Sequence, residues 1–398
     1  MKQDMFQSHM EMMALREQEL EVQGIKVFRL STTERRGFKE CRRKWDFSSL
    51  SRQAIEPKQP AIALQFGVGI HYALEMFYSG TPILRGSDEV LDMETAAIVV
   101  HWRRWVKEQI AKMTQEQQAL WDEQKQAIEE SAKLGEGILK GYERWVAVVD
   151  ITEELGFKNI LYTEREFAVI VPDENGDPYF FTDANGQMWE IWLVGRLDMI
   201  VEDFDDHIWI LDHKTSKNRL DAEILILDDQ MTMYLWAIQQ ILGRPVEGCY
   251  YNVLRKKIPT VPKVLANGKA LSQDKAIDTT YEVYLQAILD NGFNPAEYVT
   301  ILDFLASKKT DFFERVKIRR NQHEIGMAGR LLLLEAIDML NAPYIYPNPT
   351  RDCKWKCDYK FLCLATNRND DVEYLYKALF QPRKINSPSV YNRENTNA

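Results

Sequence analysis

A block of strand-like alternation between about Ile160 and Ser216 constrains this chain more than any other feature. Its pieces TEREFAVIV, MWEIWLVGRLDMIVE and IWILDHKTS place apolar residues at every second position or in short continuous runs, as strands do when one or both faces are buried. EDFDD supplies a tight turn before the last piece, so the block predicts an antiparallel meander. Helical spacing flanks it on both sides, and EGCYYNVLR (Glu247 to Arg255) reads as a further strand. Strands framed by helices predict an α/β core with a central mixed sheet.

The flanks divide by periodicity. Residues 1–27 read as a helix or a frayed N-terminal arm, and residues 28–365 as the main domain. After Ser31 a helical segment interleaves Phe38, Cys41, Trp45 and Phe47 with basic residues, with Ser31, Thr32 or Thr33 as its N-cap. A second helix is predicted near Phe66, where Ile70, Leu74 and Phe77 make an apolar stripe. Residues 92–149 read as a long helical insertion, restarted at Thr114 by a capping box with Gln117. Leu225 to Leu242 returns to helical spacing, and helices are predicted around 280–305 and 320–341. Residues 366–398 read as a C-terminal tail, disordered over its last fifteen or so residues.

With 398 residues, 45% of them hydrophobic, the chain has an ordinary globular composition, which excludes disorder throughout and a small disulfide scaffold. No apolar run reaches the roughly 18 residues of a membrane span, so a cytoplasmic protein is expected. A net charge of -10 argues against nonspecific coating of nucleic acid, because polyanions are bound by displacing counterions with Lys and Arg. Two local clusters run against that balance. Arg29 to Lys44 holds seven cations against two acids, with Arg35, Arg36, Arg42 and Arg43 as candidate phosphate contacts. Lys308 to Arg320 holds six against two, and its Arg315, Lys317, Arg319 and Arg320, with Phe312 and Phe313 for stacking, could line the path of a single strand. For either cluster alone, a solvated face is the competing account.

The chemistry concentrates in a few ordered residues. Asp198 ends an apolar strand, and fourteen residues on comes LDHKT, whose Asp212 and Lys214 share one strand face while His213 points to the other. Two carboxylates and an ammonium at a sheet mouth make a hard-oxygen site for Mg²⁺ or Mn²⁺. Gln230 and Tyr234 lie at i and i+4 on one helix face, and His71 flanks an apolar helix stripe. Each of these taken alone is more simply a salt bridge or a half-buried polar residue. Of the five cysteines, Cys249 sits in an apolar strand and reads as core. Cys353, Cys357 and Cys363 fall within eleven residues of a charged segment, and such thiolates can wrap one metal centre, with Cys41 the natural fourth ligand.

The ordered set GVGIH, GRLD, DHK and QMTMY resembles the PD-(D/E)XK nuclease superfamily, in its RecB-like branch of phage-type and CRISPR-associated exonucleases. The resemblance implies a restriction-endonuclease-like fold and a metal-dependent DNA exonuclease working in recombination, repair or DNA-end processing. It implies that Asp198, Asp212, the His213 carbonyl and His71 hold the Mg²⁺ or Mn²⁺ ion, that Lys214 orients or helps deprotonate the attacking water, and that Gln230 and Tyr234 hold the strand. Glu166 would reach a second ion or form an ion pair, the latter being favoured. The cysteines resemble the AddB-type staple, in which one N-terminal and three C-terminal cysteines bind a 4Fe-4S cluster and so tie the two ends together. C-x3-C stands here in place of that family's C-x2-C, and zinc is the competing ligand. No G-x4-GK[ST] sequence occurs, so long duplex would require a partner such as a helicase, with a recombinase or single-strand-binding protein as further candidates. A spacer-trimming CRISPR nuclease, a noncatalytic DNA-binding module and an unrelated zinc protein are the alternatives.

Overall fold

The computed structural model describes residues 4–58, 62–80, 97–111, 115–218, 220–307 and 312–383. From the N-terminus the elements are α1 (Met5–Val22), β1 (Lys26–Leu30), α2 (Thr32–Glu40), α3 (Arg42–Ser48), β2 (Ile55–Pro57) and α4 (Ile62–Tyr78). Two long helices follow, α5 (Ala97–Ala111) and α6 (Gln115–Val149). Next come β3 (Asn159–Ile170), β4 (Phe180–Thr182), β5 (Met188–Glu202), β6 (Ile208–Ser216), α7 (Ala222–Ile226), α8 (Asp229–Leu242) and β7 (Gly248–Arg255). The chain ends with α9 (Tyr281–Asp290), α10 (Val299–Ser307), β8 (Phe313–Arg319), α11 (Gln322–Asn341), α12 (Lys360–Arg368), α13 (Val372–Leu379) and β9 (Phe380–Pro382).

The alternating block supplies the centre of a seven-stranded sheet in the order β1-β5-β6-β7-β8, with β3 and β4 also paired to β5. Pairs β1–β5 and β6–β7 are parallel and the others antiparallel, so the sheet is mixed. β5 runs to 15 residues because it serves four partners along its length. The two-residue period splits β6 between the faces. Ile208 and Ile210 enter a core under α8 and α11, whereas Trp209 and Leu211 enter one under α4, α5 and α6.

Residues 97–149 are therefore one of the two layers covering the sheet, with Trp102, Tyr142 and Val146 packed over Trp209, Tyr250 and Phe313. The expected capping box at Thr114 lies outside the described residues. The N-terminal segment is a docked helix rather than a frayed arm. Met13 and Leu20 pack on Ala168, Trp192 and Val194, and Arg16 pairs with the fully buried Glu190 at 2.7 Å. Most of the supposed tail is folded too. β9 pairs with β2, and the Tyr359 and Phe380 rings stack at 5.4 Å. The remainder of the tail, 384–398, lies outside the described residues. α9 and α10 build a small separate cluster around Tyr284, Ile288 and Tyr298. Among the described residues no helix is long and apolar enough to cross a membrane.

Candidate active site

β5 and β6 pair only from Met199–Glu202 to Ile208–Leu211, and beyond Met199 they part. There the Asp198 carboxylate takes over from the ladder, since its Oδ2 accepts the His213 backbone N–H at 2.7 Å. The split opens the sheet where β6 places Asp212 and Lys214 toward α8 and the His213 ring toward α4, as the alternation predicts. α4 delivers His71, with Nδ1 at 3.2 Å from Asp198 Oδ1. The glycine of GRLD has a steric reason: a Cβ on Gly195 would stand 2.7 Å from the Phe167 ring and 3.0 Å from the Tyr234 hydroxyl.

A further residue enters from β3. Glu164 lies between the registered pairs Thr163–Met199 and Arg165–Leu197, hence opposite Asp198. Its φ of 46° is left-handed, a strained conformation for a non-glycine residue within a strand. Ligand atoms of Glu164, His71 and Asp198 lie within 4.8 Å of one another. Glu166, two residues on, is instead registered opposite Arg196. Both glutamates have the same strand parity, so periodicity offers no way to choose between them, and the backbone twist that decides is invisible in the sequence.

The electrostatics are those of crowded carboxylates. Among the described residues, the permanent cations paired with the set Glu75, Glu164, Asp198 and Asp212 are Arg196, bound to Glu164 and Glu75, and Lys214. Fully ionised, that set is two charges short of neutral before His71 is counted, which suits a divalent cation. Burial pushes the Glu164 carboxyl up, and the charge of Asp198 adds to the shift. Asp212 is raised for the same two reasons, with Lys214 opposing them. Burial opposes ionisation of Asp198 as well, but the neighbouring His71 outweighs it and holds that carboxyl below the usual range. His71 is pushed up to about 9, the Asp198 charge prevailing over burial.

The donor set fits a hard metal ion. Lys214 Nζ stands 2.8 Å from Asp212 Oδ2, a charge-assisted contact that compensates the buried carboxylate. A carboxylate oxygen accepts more than one partner, so Asp212 keeps a lone pair for a cation. His71, Glu164, Asp198 and Asp212 are the residues that could hold the ion.

α8 supplies one wall. Asp228 caps its N-terminus through Gln230 N–H, and Gly243 ends it with φ 62°. Tyr234 Oη lies 3.4 Å from Thr32 Oγ1, and Arg36 Nη2 donates to Gln230 Oε1 at 3.4 Å. The first basic cluster therefore meets the Gln230 and Tyr234 face directly, beside a cleft of about 220 Å³ lined by Thr32, Arg35, Arg36, Lys39, Glu40 and Asp229. Within it Arg36 is exposed, but Arg35 is 2% exposed and locked to Asp229 and Glu335, so it is a structural cation and not a phosphate contact. Arg42 lies over the Phe38 and Tyr346 rings, 3.4 Å from Asp338, and Arg43 donates to Asn367 at 2.5 Å.

The second basic segment forms β8, the edge strand beside β7. Phe312, Phe313, Arg315 and Arg320 are buried, which removes them from stacking or phosphate contact. Arg320 donates to the carbonyls of Leu225 and Ile226, and Lys317 lies over Trp209, 3.4 Å from Asp203. Arg319 is exposed, with its guanidinium over the Trp209 ring. Lys308 and Lys309 lie outside the described residues. Sequence spacing marks charge, but burial is a tertiary property.

The cysteines come together from both ends of the chain. Cys41 closes α2 and opens α3, and its Sγ accepts Asn348 N–H at 3.4 Å. Thr350 N–H points at Cys353 Sγ at the same distance. Burial raises the Cys357 thiol, and Cys353 and Cys41 lie near enough to add to it. Cys357 and Cys363 flank the cluster of Phe47, Tyr359, Leu362 and Phe380. Cys249 is a fully buried core residue.

A mixed sheet that splits to expose Asp198 and an Asp-x-Lys strand, flanked by a helix histidine, defines a metal-dependent phosphodiesterase type of site. The sequence matches the family described as the PD-(D/E)XK nuclease superfamily over residues 29–364, most of the chain, and the protein belongs to that superfamily. Its members are metal-dependent nucleases, and DNA is the substrate such a fold acts on. No curated protein matches the sequence.

Proposed function

We propose that the protein is a Mg²⁺- or Mn²⁺-dependent DNA exonuclease of the RecB-like branch, acting in recombination, repair or end processing, with residues 28–365 as the nuclease domain. The observation that carries this reading is the convergence of His71, Glu164 and Asp198 within 4.8 Å of one another, beside the buried Asp212–Lys214 pair. A bound divalent ion supplies Lewis-acid polarisation of the scissile phosphate. Lys214 carries its charge at neutral pH, because Asp212 more than offsets the burial that would lower it. It therefore acts as an ammonium that orients the attacking water and offsets charge on phosphorus, rather than as a base. Tyr234 keeps its proton, burial raising it, and with Gln230 and Arg36 it holds the strand.

The four cysteines are read as ligands of a 4Fe-4S cluster. Tetrahedral zinc at about 2.3 Å from each sulfur would draw thiolates to about 3.8 Å apart. The metal bound by purified protein decides between the two.

The test is digestion of end-labelled single- and double-stranded DNA with Mn²⁺ by anaerobically purified protein, beside Asp212→Ala and Lys214→Ala. Each substitution should lower cleavage about 100-fold or more, and the preparation should contain iron and labile sulfide. Digestion surviving both substitutions would overturn the assigned site.

A further inference from the structure

The sheet face under α4 and α6 carries a row of buried polar side chains where an apolar row would pack more simply. His213 on β6 is registered with Asn252 on β7, and Asn252 with Arg315 on β8, so strand alternation puts all three on one face. They are 3%, 0% and 4% exposed. Asn252 Oδ1 faces Arg315 Nε at 3.4 Å, which turns its amide nitrogen toward His213 Nδ1 at 2.9 Å and the Tyr142 hydroxyl at 2.7 Å. Asn252 is thus the donor, His213 Nδ1 the acceptor, and the imidazole proton sits on Nε2.

Each outer member is also satisfied. Arg315 Nη1 donates to Asp150 at 2.6 Å and to the Leu155 carbonyl at 3.0 Å, just past the end of α6. Tyr142 on α6 bonds Tyr78 on α4 at 2.6 Å. The Tyr78 ring stacks on His213 at 5.8 Å, and the His71 ring meets His213 edge-on at 6.0 Å. His213 is therefore held on two sides by the network and itself holds two site residues. Its N–H anchors Asp198, and its ring abuts His71. Buried polar networks that are fully satisfied fix one arrangement, at a desolvation cost that apolar packing avoids.

We propose that Asn252 is a positioning residue of the metal site, held in place by Arg315 and Tyr142, and that α6 is accordingly part of the active-site frame. The inference rests on the nuclease reading above. Residues that orient metal ligands without touching the metal are worth about 10–100-fold in metal affinity.

The experiment is direct titration of the full-length protein with Mn²⁺, followed by the electron paramagnetic resonance of the free ion, without DNA and at a temperature where melting shows each variant folded. Asn252→Ala should bind Mn²⁺ at least about 10-fold more weakly than wild type, and Tyr142→Phe, which removes one hydroxyl, should shift in the same direction by less. A folded Asn252→Ala with wild-type Mn²⁺ affinity overturns the proposal. If Asn252→Ala does not fold, Tyr142→Phe decides, and an unchanged affinity there overturns it equally. Wild-type protein that neither binds Mn²⁺ nor cuts DNA overturns the nuclease reading itself, and the positioning role with it.

Discussion

Glu164 shows how much of a site can hide in a single residue's backbone. The sequence displays Asp198, Asp212 and Lys214 at strand spacing, and the structure puts them together. It also puts Glu164 there, through a left-handed φ that no residue-type pattern announces. The cost is electrostatic as well as conformational. Its folded carboxyl is raised above the ordinary 4.5, so the ionised form is disfavoured in the native state. As pH rises through 4.5 toward the raised value, the unfolded chain releases a proton that the folded chain keeps, and stability falls. Glu164→Gln lacks that loss. Metal-free Glu164→Gln should accordingly melt about 1–3 °C above wild type at pH 8, with no such gain at pH 4, while its Mn²⁺-dependent cleavage drops at least about 10-fold. A variant cleaving at the wild-type rate would remove Glu164 from the site.

At the scale of elements, the sequence locates α6 but gives no reason for its glycines, each of which lowers helix propensity by about 1 kcal/mol relative to Ala. Packing supplies the reason. A Cβ on Gly135 would stand 2.2 Å from the Trp102 ring, so α5 and α6 approach only because that side chain is missing. Gly135→Ala should cost about 1–3 kcal/mol, read from the urea midpoint. The same helix pair is joined at its surface by Glu136, which accepts from Arg103 at 2.7 and 3.1 Å and pairs with Lys140. Arg103 holds the Glu136 carboxyl down to about 2. A depressed acid contributes stability that is present above its unfolded pKa near 4.5 and lost as pH falls toward 2. Glu136→Gln should cost about 0.5 kcal/mol at pH 7 and clearly less at pH 2, as urea melts at the two pH values would show. β8 is the element that composition misleads. Its cations and phenylalanines suggest a binding surface, yet Phe313, Arg315 and Ile318 are buried against the rest of the molecule.

Across the whole molecule, the two ends of the chain meet in one lobe, where β2 pairs with β9 and Cys41 lies near Cys357. The proposed metal cluster would close a loop of some three hundred residues there, and such closures stabilise chiefly by restricting the unfolded chain. Cys357→Ser is expected to lose the bound iron and to make the lobe, including α12 and α13, the first segment cut in limited proteolysis. Its Mn²⁺ affinity should stay near wild type, because the carboxylates lie on β3, β5 and β6 and not in that lobe. Equal protease resistance in the variant would argue against a structural cluster.

Periodicity by itself determined the strands β3, β5, β6 and β7, both faces of β6, the helix that presents Gln230 and Tyr234, and the order of His71, Asp198, Asp212 and Lys214. These are local properties, because the spacing of side chains along a strand or helix fixes which of them share a face. The tertiary structure alone decided the rest. It chose Glu164 over Glu166, sent Arg35, Arg315 and Arg320 inward to buried partners, and made residues 97–149 a layer of the core. It also aligned His213, Asn252 and Arg315 across three strands. Burial and charge pairing depend on residues up to three hundred positions apart, and register between strands belongs to the sheet as a whole rather than to any one of its segments.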